Sequence, residues 1–163
     1  MQSGFRIRPY RETDLPALRR MLQGLQEAEC IMDSSRAHWA DGAAAYTDWM
    51  LEEVGANSGA VFMADSTDGS AIGMVSCWRA EDPTDITVTP DSRVHLYVSD
   101  IFVVETWRGQ NVAAGLLEAA ERHGRTLGLA QMTIGLLAVN HAAKRAYEKS
   151  GFHDYEVFLR KRL

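Results

Sequence analysis

The stretch Val103-Val104-Glu105-Thr106-Trp107-Arg108-Gly109-Gln110-Asn111-Val112-Ala113-Ala114-Gly115-Leu116-Leu117 constrains the fold more than any other part of the chain. An apolar run passes through a turn of small and polar residues straight into a helical pattern over 113–127, with Leu116, Leu117, Ala120 and Leu127 on its inner side. A strand that feeds directly into a helix belongs to an α/β fold rather than an all-β sandwich or a helical bundle. The same junction gathers unpaired backbone N–H groups and a positive dipole end at one point, which suits a pyrophosphate. On spacing alone, a plain strand-turn-helix connection explains it equally well. It is no Walker loop, because the Gly-Lys-Ser/Thr ending is missing, and three glycines at dinucleotide spacing are missing too.

The remaining periodicities fill in the class. Phe5 to Tyr10 alternates like a short strand; Thr13 or Asp14 then offers a cap, Pro16 suits a first turn, and Leu15, Leu18, Leu22 and Leu25 fall at helical spacing. A second helix is expected between Asp41 and Val54, ending near Gly55, with Cys30 to Trp39 irregular before it. The runs Ala60 to Ala64 and Ala71 to Trp78 flank Ser66-Thr67-Asp68-Gly69-Ser70, whose Asp-Gly marks an antiparallel hairpin. Residues 81–91 hold four acids, two prolines and no base, and read as an exposed loop. Val94 to Val104 reads as a long strand, Gln131 to Val139 as another, His141 to Lys149 as a helix and Phe152 to Arg160 as a last strand. The order is β-α-α-β-β-β-α-β-α-β, without repeats.

At 163 residues, 46% hydrophobic and 24% charged, the chain has the make-up of one soluble domain spanning 1–163. A domain of this size buries roughly 70% of the surface its unfolded chain exposes, so it needs neither disulfides nor a structural metal. Cys30 and Cys77 form no CxxC pair and are too few for a thiolate metal site. No apolar leader follows Met1, and no run reaches the roughly 18 apolar residues of a membrane helix. These features point to the cytoplasm, with no metal and no membrane partner.

Charge is unevenly distributed. Residues 1–100 carry 8 Lys and Arg against 16 Asp and Glu, while residues 101–163 carry 9 against 6. An acidic first part suits a cationic partner and a basic second part a phosphorylated one, although ordinary surface solvation gives the same numbers. The first hundred residues contain no lysine and no basic stripe, which argues against nucleic acid.

Two motifs now carry a family resemblance. Arg108-Gly109-Gln110-Asn111-Val112-Ala113 resembles the Arg/Gln-x-x-Gly-x-Gly/Ala motif of the GNAT superfamily of acetyl-CoA-dependent N-acetyltransferases, with Val103 where that family keeps a strand valine. Asn140-His141-Ala142-Ala143-Lys144-Arg145-Ala146-Tyr147-Glu148-Lys149-Ser150-Gly151-Phe152 resembles the family's Asn-x6-Tyr-x3-Gly-Phe ending. The element order agrees over about residues 5 to 163. The resemblance implies a single α/β domain with a mixed central sheet, one strand of it bulged and splayed, flanked by helices. It further implies that Arg108, Gly109, Gln110, Asn111, Val112, Ala113 and Ala114 form the cofactor loop, with amides from Gln110 through Ala114 on the pyrophosphate of acetyl-CoA. The strand edge at Phe102 and Val103 is expected to pair with the pantetheine arm. Asn111 stands where the family prefers glycine, and asparagine is the residue that best tolerates a left-handed backbone in its place.

Asn140 and Tyr147, seven residues apart, project from one helix face about 10.5 Å apart along the axis, with small Ala143 between them, so a slender ligand fits along that face. Alternatively Asn140 is simply an N-cap and Tyr147 a core residue. By resemblance, Tyr147 is the general acid that protonates the departing CoA thiolate.

Transfer to an amine also needs the amine without its proton. A lysine-like ammonium costs roughly 4 to 5 kcal/mol to deprotonate at neutral pH. Along His95-Leu96-Tyr97-Val98-Ser99-Asp100-Ile101-Phe102-Val103-Val104 the apolar-polar alternation changes phase at Ser99-Asp100. In a regular strand Asp100 would share a face with Leu96, Val98 and Phe102, a costly place for a carboxylate, and a bulge at Ser99 or Asp100 would turn it toward a cleft. Ser99-Asp100-Ile101-Phe102-Val103 resembles the Glu-Asp-aromatic-aromatic-Val run of polyamine acetyltransferases, with Ser99 in place of the glutamate. Asp100 is then the acid-base or amine-orienting group; a water chain on Tyr97, His95 and Ser99 and a purely structural Asp100 are the alternatives.

The helix-loop-helix region that lines the acceptor side in the family here carries Glu27, Glu29, Asp33, Trp39 and Trp49, whose acids and aromatic faces suit a cation. Glu29, Trp39, Tyr97 and Ser99 are the acceptor candidates. Few residues follow Phe152, so either the cleft is open or the second subunit of a homodimer closes it. The resemblance implies direct transfer to a small polar or cationic primary amine, with no role for either cysteine. A peptide N-terminal or lysine acetyltransferase, a non-catalytic acyl-CoA sensor and a protein binding another phosphorylated ligand are the other readings.

Overall fold

A computed structural model describes residues 4–40, 42–81 and 86–163. The alternating N-terminal run is strand β1 (Phe5–Pro9), and the leucine-spaced segment is helix α1 (Leu15–Met32), with Pro16 in its first turn and Leu18, Met21 and Leu22 buried. Helix α2 (Ala44–Ala56) follows, then β2 (Ala60–Ser66) and β3 (Ala71–Glu81). The turn between these strands needs a left-handed residue, and Gly69 supplies it with φ +86°. Next come β4 (Val94–Val103), α3 (Val112–Thr126), β5 (Met132–Ile134) and α4 (His141–Lys149).

The five strands lie in sequence order in one sheet, β1 to β4 antiparallel and β5 parallel to β4. Alternating side chains send apolar groups to both faces. On one face Ala64, Val75, Cys77, Leu96 and Val98 pack with Val112, Leu116, Leu117 and Ala120 of α3. On the other, Val61, Met63, Met74 and Trp78 pack with Leu18, Leu22 and Met50 of α1 and α2. The mixed, helix-flanked sheet expected from the sequence is present.

Five expected features change or fall outside the described residues. Helix α1 runs through Met32, so Cys30 to Met32 are helical; Gln26 to Met32 contains no breaker, and the helix stops only where Asp33 turns extended and accepts the Ser35 N–H. The start of the second helix at Asp41 and residues 82–85 of the acidic loop lie outside the described residues. Strand β5 spans three residues instead of Gln131 to Val139, because its ladder with β4 ends at Val98↔Ile134. Phe152 to Arg160 forms no strand at all: Tyr155, Val157, Phe158 and Leu159 are exposed, and an alternating run gains no ladder hydrogen bonds without a neighbour.

Candidate active site

The site begins with an irregularity in β4. Its register with β3 runs Ser76↔Asp100 and then Cys77↔Val98, so Ser99 is an extra residue on the β4 side. The bulge reverses the alternation. Leu96 and Val98 face the α3 side, whereas Phe102 and Asp100 face α1 and α2. At the same place β4 also loses β5, since pairing stops at Val98, next to the bulge, while β4 continues to Val103. The bulge and the parting of β4 from β5 thus fall at the same point.

Asp100 is 6% exposed there. Its Oδ1 accepts from the Tyr46 hydroxyl of α2 at 2.9 Å and its Oδ2 from the Ser76 hydroxyl of β3 at 2.9 Å. Tyr46 also lies 3.4 Å from Ser99 Oγ. Burial pushes the Asp100 carboxyl above its ordinary value, and the hydroxyls of Ser76, Ser99 and Tyr46 only partly counter this. No Lys, Arg or His among the described residues pairs with it. The phenols of Tyr46 and Tyr97 are both raised, first by burial and then by the Asp100 charge. His95, on the same strand, is lowered by burial.

Aromatic rings extend outward from this carboxyl. Trp39 stacks on Tyr46 at 5.0 Å, Tyr46 leans on Trp49 at 5.3 Å, Trp49 meets Trp78 edge-on at 6.0 Å, and Trp78 meets Tyr97 at 5.4 Å. Trp49 is 45% exposed, so the arc reaches from the buried acid to the surface. Phe102 packs beneath, close against α1: a Cβ on Gly24 would sit 3.0 Å from its ring.

The other wall is the loop into α3. Gly109 and Asn111 are both left-handed, at φ +75° and +64°. Asn111 therefore takes the conformation expected of it, and no side-chain cap satisfies the first N–H groups of the helix. Val112 is anchored in the core, while Ala113 and Ala114 stay partly exposed. Gln110 folds back to donate to the Thr106 carbonyl at 3.0 Å, and Arg108 donates to the Val103 carbonyl at 3.1 Å with its guanidinium over the Phe102 ring. Arg108 thus lies along the free edge of β4.

Helix α4 faces this loop from the far side of the parting. Asn140 caps it, accepting from the Ala143 N–H at 3.1 Å. Tyr147 packs on Phe152 and carries no hydrogen bond from a described side chain to its hydroxyl; burial and, second, the Glu29 charge push its phenol up to about 12. It remains protonated over the whole physiological range.

Of the acceptor candidates, Trp39, Tyr97 and Ser99 converge on Asp100. Glu29 does not join them: it pairs with Arg36 at 3.3 Å and acts on Tyr147. Asp33 pairs with Arg160 of the C-terminal segment. The sequence reading missed Tyr46 and Ser76, the two groups that hold Asp100. They come from positions 54 and 24 residues away and carry no local signal. A hollow of about 360 Å³ lies elsewhere, between β2 and α2, where the ring of its His123 is bonded to the Ser58 carbonyl.

Comparison with known proteins places this architecture. The acetyltransferase (GNAT) family profile matches residues 21–152, and the chain belongs to that family. A curated relative, the uncharacterized N-acetyltransferase YycN of Bacillus subtilis (strain 168), is 28% identical over 67 residues. That match covers 41% of this chain and 43% of YycN, so the chain spans less than half of its curated relative's length. Among solved structures, a tetramutant of the BH1408 protein from Bacillus halodurans superposes with a TM-score of 0.85 at 19% identity, covering 97% of this chain and 99% of that one. The aminoglycoside 6'-N-acetyltransferase AAC(6')-IG from Acinetobacter haemolyticus gives 0.71 at 19% identity, covering 97% and 99%. AAC(6')-Iy in complex with the bisubstrate analog CoA-S-monomethyl-acetylneamine gives 0.73 at 24% identity, covering 99% and 100%. At these identities the likeness is one of fold.

Proposed function

We propose that the protein transfers an acetyl group from acetyl-CoA directly to the primary amine of a small cationic acceptor. The observation that carries this reading is Asp100: a carboxyl 6% exposed, held by two hydroxyls, without a cation, at the inner end of an aromatic arc. Burying a carboxylate costs several kcal/mol unless a counter-charge arrives, and an acceptor's ammonium is that charge. The acidic balance of residues 1–100 adds to the attraction.

The loop and α4 fit CoA. Unpaired N–H groups at the start of α3 suit its pyrophosphate, small Ala113 and Ala114 leave room for it, and the edge of β4 past Val98 is open to its extended arm. Arg108 moves aside or shares the Val103 carbonyl when that arm binds. Asn140 has its oxygen committed to the cap, at the start of α4.

Each chemical step then has a residue. Asp100, its carboxyl made more basic by burial, takes one proton from the ammonium in its ionised form: an N–H bond breaks, a carboxyl O–H bond forms, and both partners become neutral. The freed nitrogen pair attacks the thioester carbonyl of acetyl-CoA, a C–N bond forms and the C–S bond breaks. Tyr147, still protonated, gives its proton to the departing sulfur, and the second proton lost from the nitrogen restores the Tyr147 phenol through solvent. Cys77 is buried with its thiol pushed up to about 11, so it offers no thiolate for a covalent route, and Cys30 lies outside the arrangement. Two free thiols fit a reducing cytoplasm, and no helix among the described residues is long and apolar enough to cross a membrane.

The test is CoA thiol release by purified protein with polyamines, aminoglycosides, amino acids and short peptides. Release with small cations supports the reading. Release with peptides alone assigns protein modification, and CoA binding without release under any amine assigns an acyl-CoA sensor.

A further inference from the structure

Tyr46 stands outside both family motifs, on a helix that the transfer chemistry does not otherwise use. Its hydroxyl is bonded to the buried acid while its ring stands in the aromatic arc. Its hydroxyl donates to Asp100 Oδ1 at 2.9 Å and lies 3.4 Å from Ser99 Oγ. Its ring is stacked on Trp39 at 28° and leans against Trp49. A tyrosine here serves two ends: the ring continues a cation-binding surface, and the hydroxyl fixes the carboxyl at the end of that surface.

We propose that Tyr46 is a positioning residue for acetyl transfer, its hydroxyl setting the aim and protonation of Asp100 while its ring, with those of Trp39 and Trp49, holds a cationic acceptor against that acid. This rests on the acceptor reading of Asp100 given above.

The physics separates the two halves of the residue. Both oxygens of Asp100 carry one donor, Tyr46 from α2 and Ser76 from β3, so each retains a lone pair and the plane of the carboxyl is fixed. Donation to the ionised form favours that form, and removing one donor drives the carboxyl further toward its neutral state. The groups facing Asp100 are Tyr46 from α2, Ser76 from β3, and Ser99 and Tyr97 from β4; no charged side chain of α1, α3 or β5 acts on it. Burial sets the direction of this acid's shift and hydroxyls oppose it, and Tyr46 supplies one of the two direct bonds. The ring is independent of that bond, since its contacts are with indole faces.

Two variants divide these roles. Tyr46→Phe keeps the ring and loses the hydroxyl. The acid limb of kcat/KM for a cationic primary amine should move up by about one pH unit, a hydrogen bond to a charged group being a roughly tenfold effect, with acceptor KM within about threefold of wild type. An acceptor amine whose ammonium is already deprotonated at pH 7 should lose little in this variant. Tyr46→Leu removes ring and hydroxyl, and acceptor KM should rise about tenfold while acetyl-CoA KM holds. A pH profile of Tyr46→Phe coincident with wild type overturns the proposal, as does equal sensitivity of both kinds of acceptor. Carbon-13 titration of the Asp100 carboxyl in wild type and Tyr46→Phe decides the matter without turnover: a midpoint that rises supports it, and one that stays overturns it. Absence of thiol release from wild type with every amine counts against the transferase reading alone, because that titration still answers for Tyr46. Should Tyr46→Phe fail to fold, a fluorinated tyrosine at position 46, a stronger donor of the same shape, should move the Asp100 midpoint down; no movement overturns the proposal.

Discussion

The two halves of the candidate site are held in different ways. Every buried hydrophobic side chain of the described residues lies at or before Ala120, in the antiparallel strands, α1 to α3 and the segment leading into α2. Strand β5 is three residues long, α4 buries no residue, and the chain after Phe152 is exposed. Asp100, Tyr46 and Ser76 belong to the first half, and Asn140 and Tyr147 to the second. A buried carboxyl needs rigid donors, because an unsatisfied buried acid is costly, whereas a neutral phenol tolerates a looser mount. On the proposed reading the acceptor side is built into the core, and the cofactor side would be completed by CoA binding between β4 and α4.

The comparison is broken most severely by removing its buried acid. Asp100→Asn keeps the shape and should lower kcat by roughly 1,000-fold with acetyl-CoA affinity retained, the middle of the usual range for a proton-transfer group. Steady-state kinetics beside CoA calorimetry checks this. Tyr147→Phe keeps the contact with Phe152 and should cost about 100-fold in kcat without changing acetyl-CoA KM, since a thiolate leaves more readily than an ammonium gives up its proton. Hydrogen exchange should find α4 opening more readily than β3, and acetyl-CoA at ten times its dissociation constant should slow the α4 amides about tenfold. Equal protection of both halves in the free protein would remove the contrast.

The smallest effect concerns stability. The fold raises Asp100 above its unfolded value of about 3.9, so the native state favours the protonated form. Its contribution is fully present below about pH 4 and is lost as pH rises through the raised native value. Asp100→Asn should therefore melt higher than wild type at neutral pH, with the two curves converging in acid.

Where pattern and partner were both local, the structure was legible in the sequence. The 3.6-residue spacing of Leu15, Leu18 and Leu22, the Asp68-Gly69 turn and the His141–Lys149 helix all formed as read. So did the bulge, because a change of alternation phase at Ser99 leaves no other way to keep Asp100 off the α3 face. What failed depended on a distant neighbour. Gln131 to Val139 and Phe152 to Arg160 have strand patterns, but a strand exists only as far as another pairs with it. Tyr46 and Ser76 were invisible for the same reason, being ordinary helix and strand residues until the fold sets them beside Asp100. Glu29, an acceptor candidate from its place in the helix-loop-helix region and its charge, pairs instead with Arg36, seven residues on.

The central claim is that the acceptor's ammonium completes the buried Asp100. Its most direct measurement is the carbon-13 titration of that carboxyl in the CoA complex, with and without a saturating cationic amine. A midpoint that drops by at least one unit when the amine binds is the predicted result, the size expected of an opposite charge within hydrogen-bond reach. A midpoint that does not move, with the amine demonstrably bound, would contradict the account.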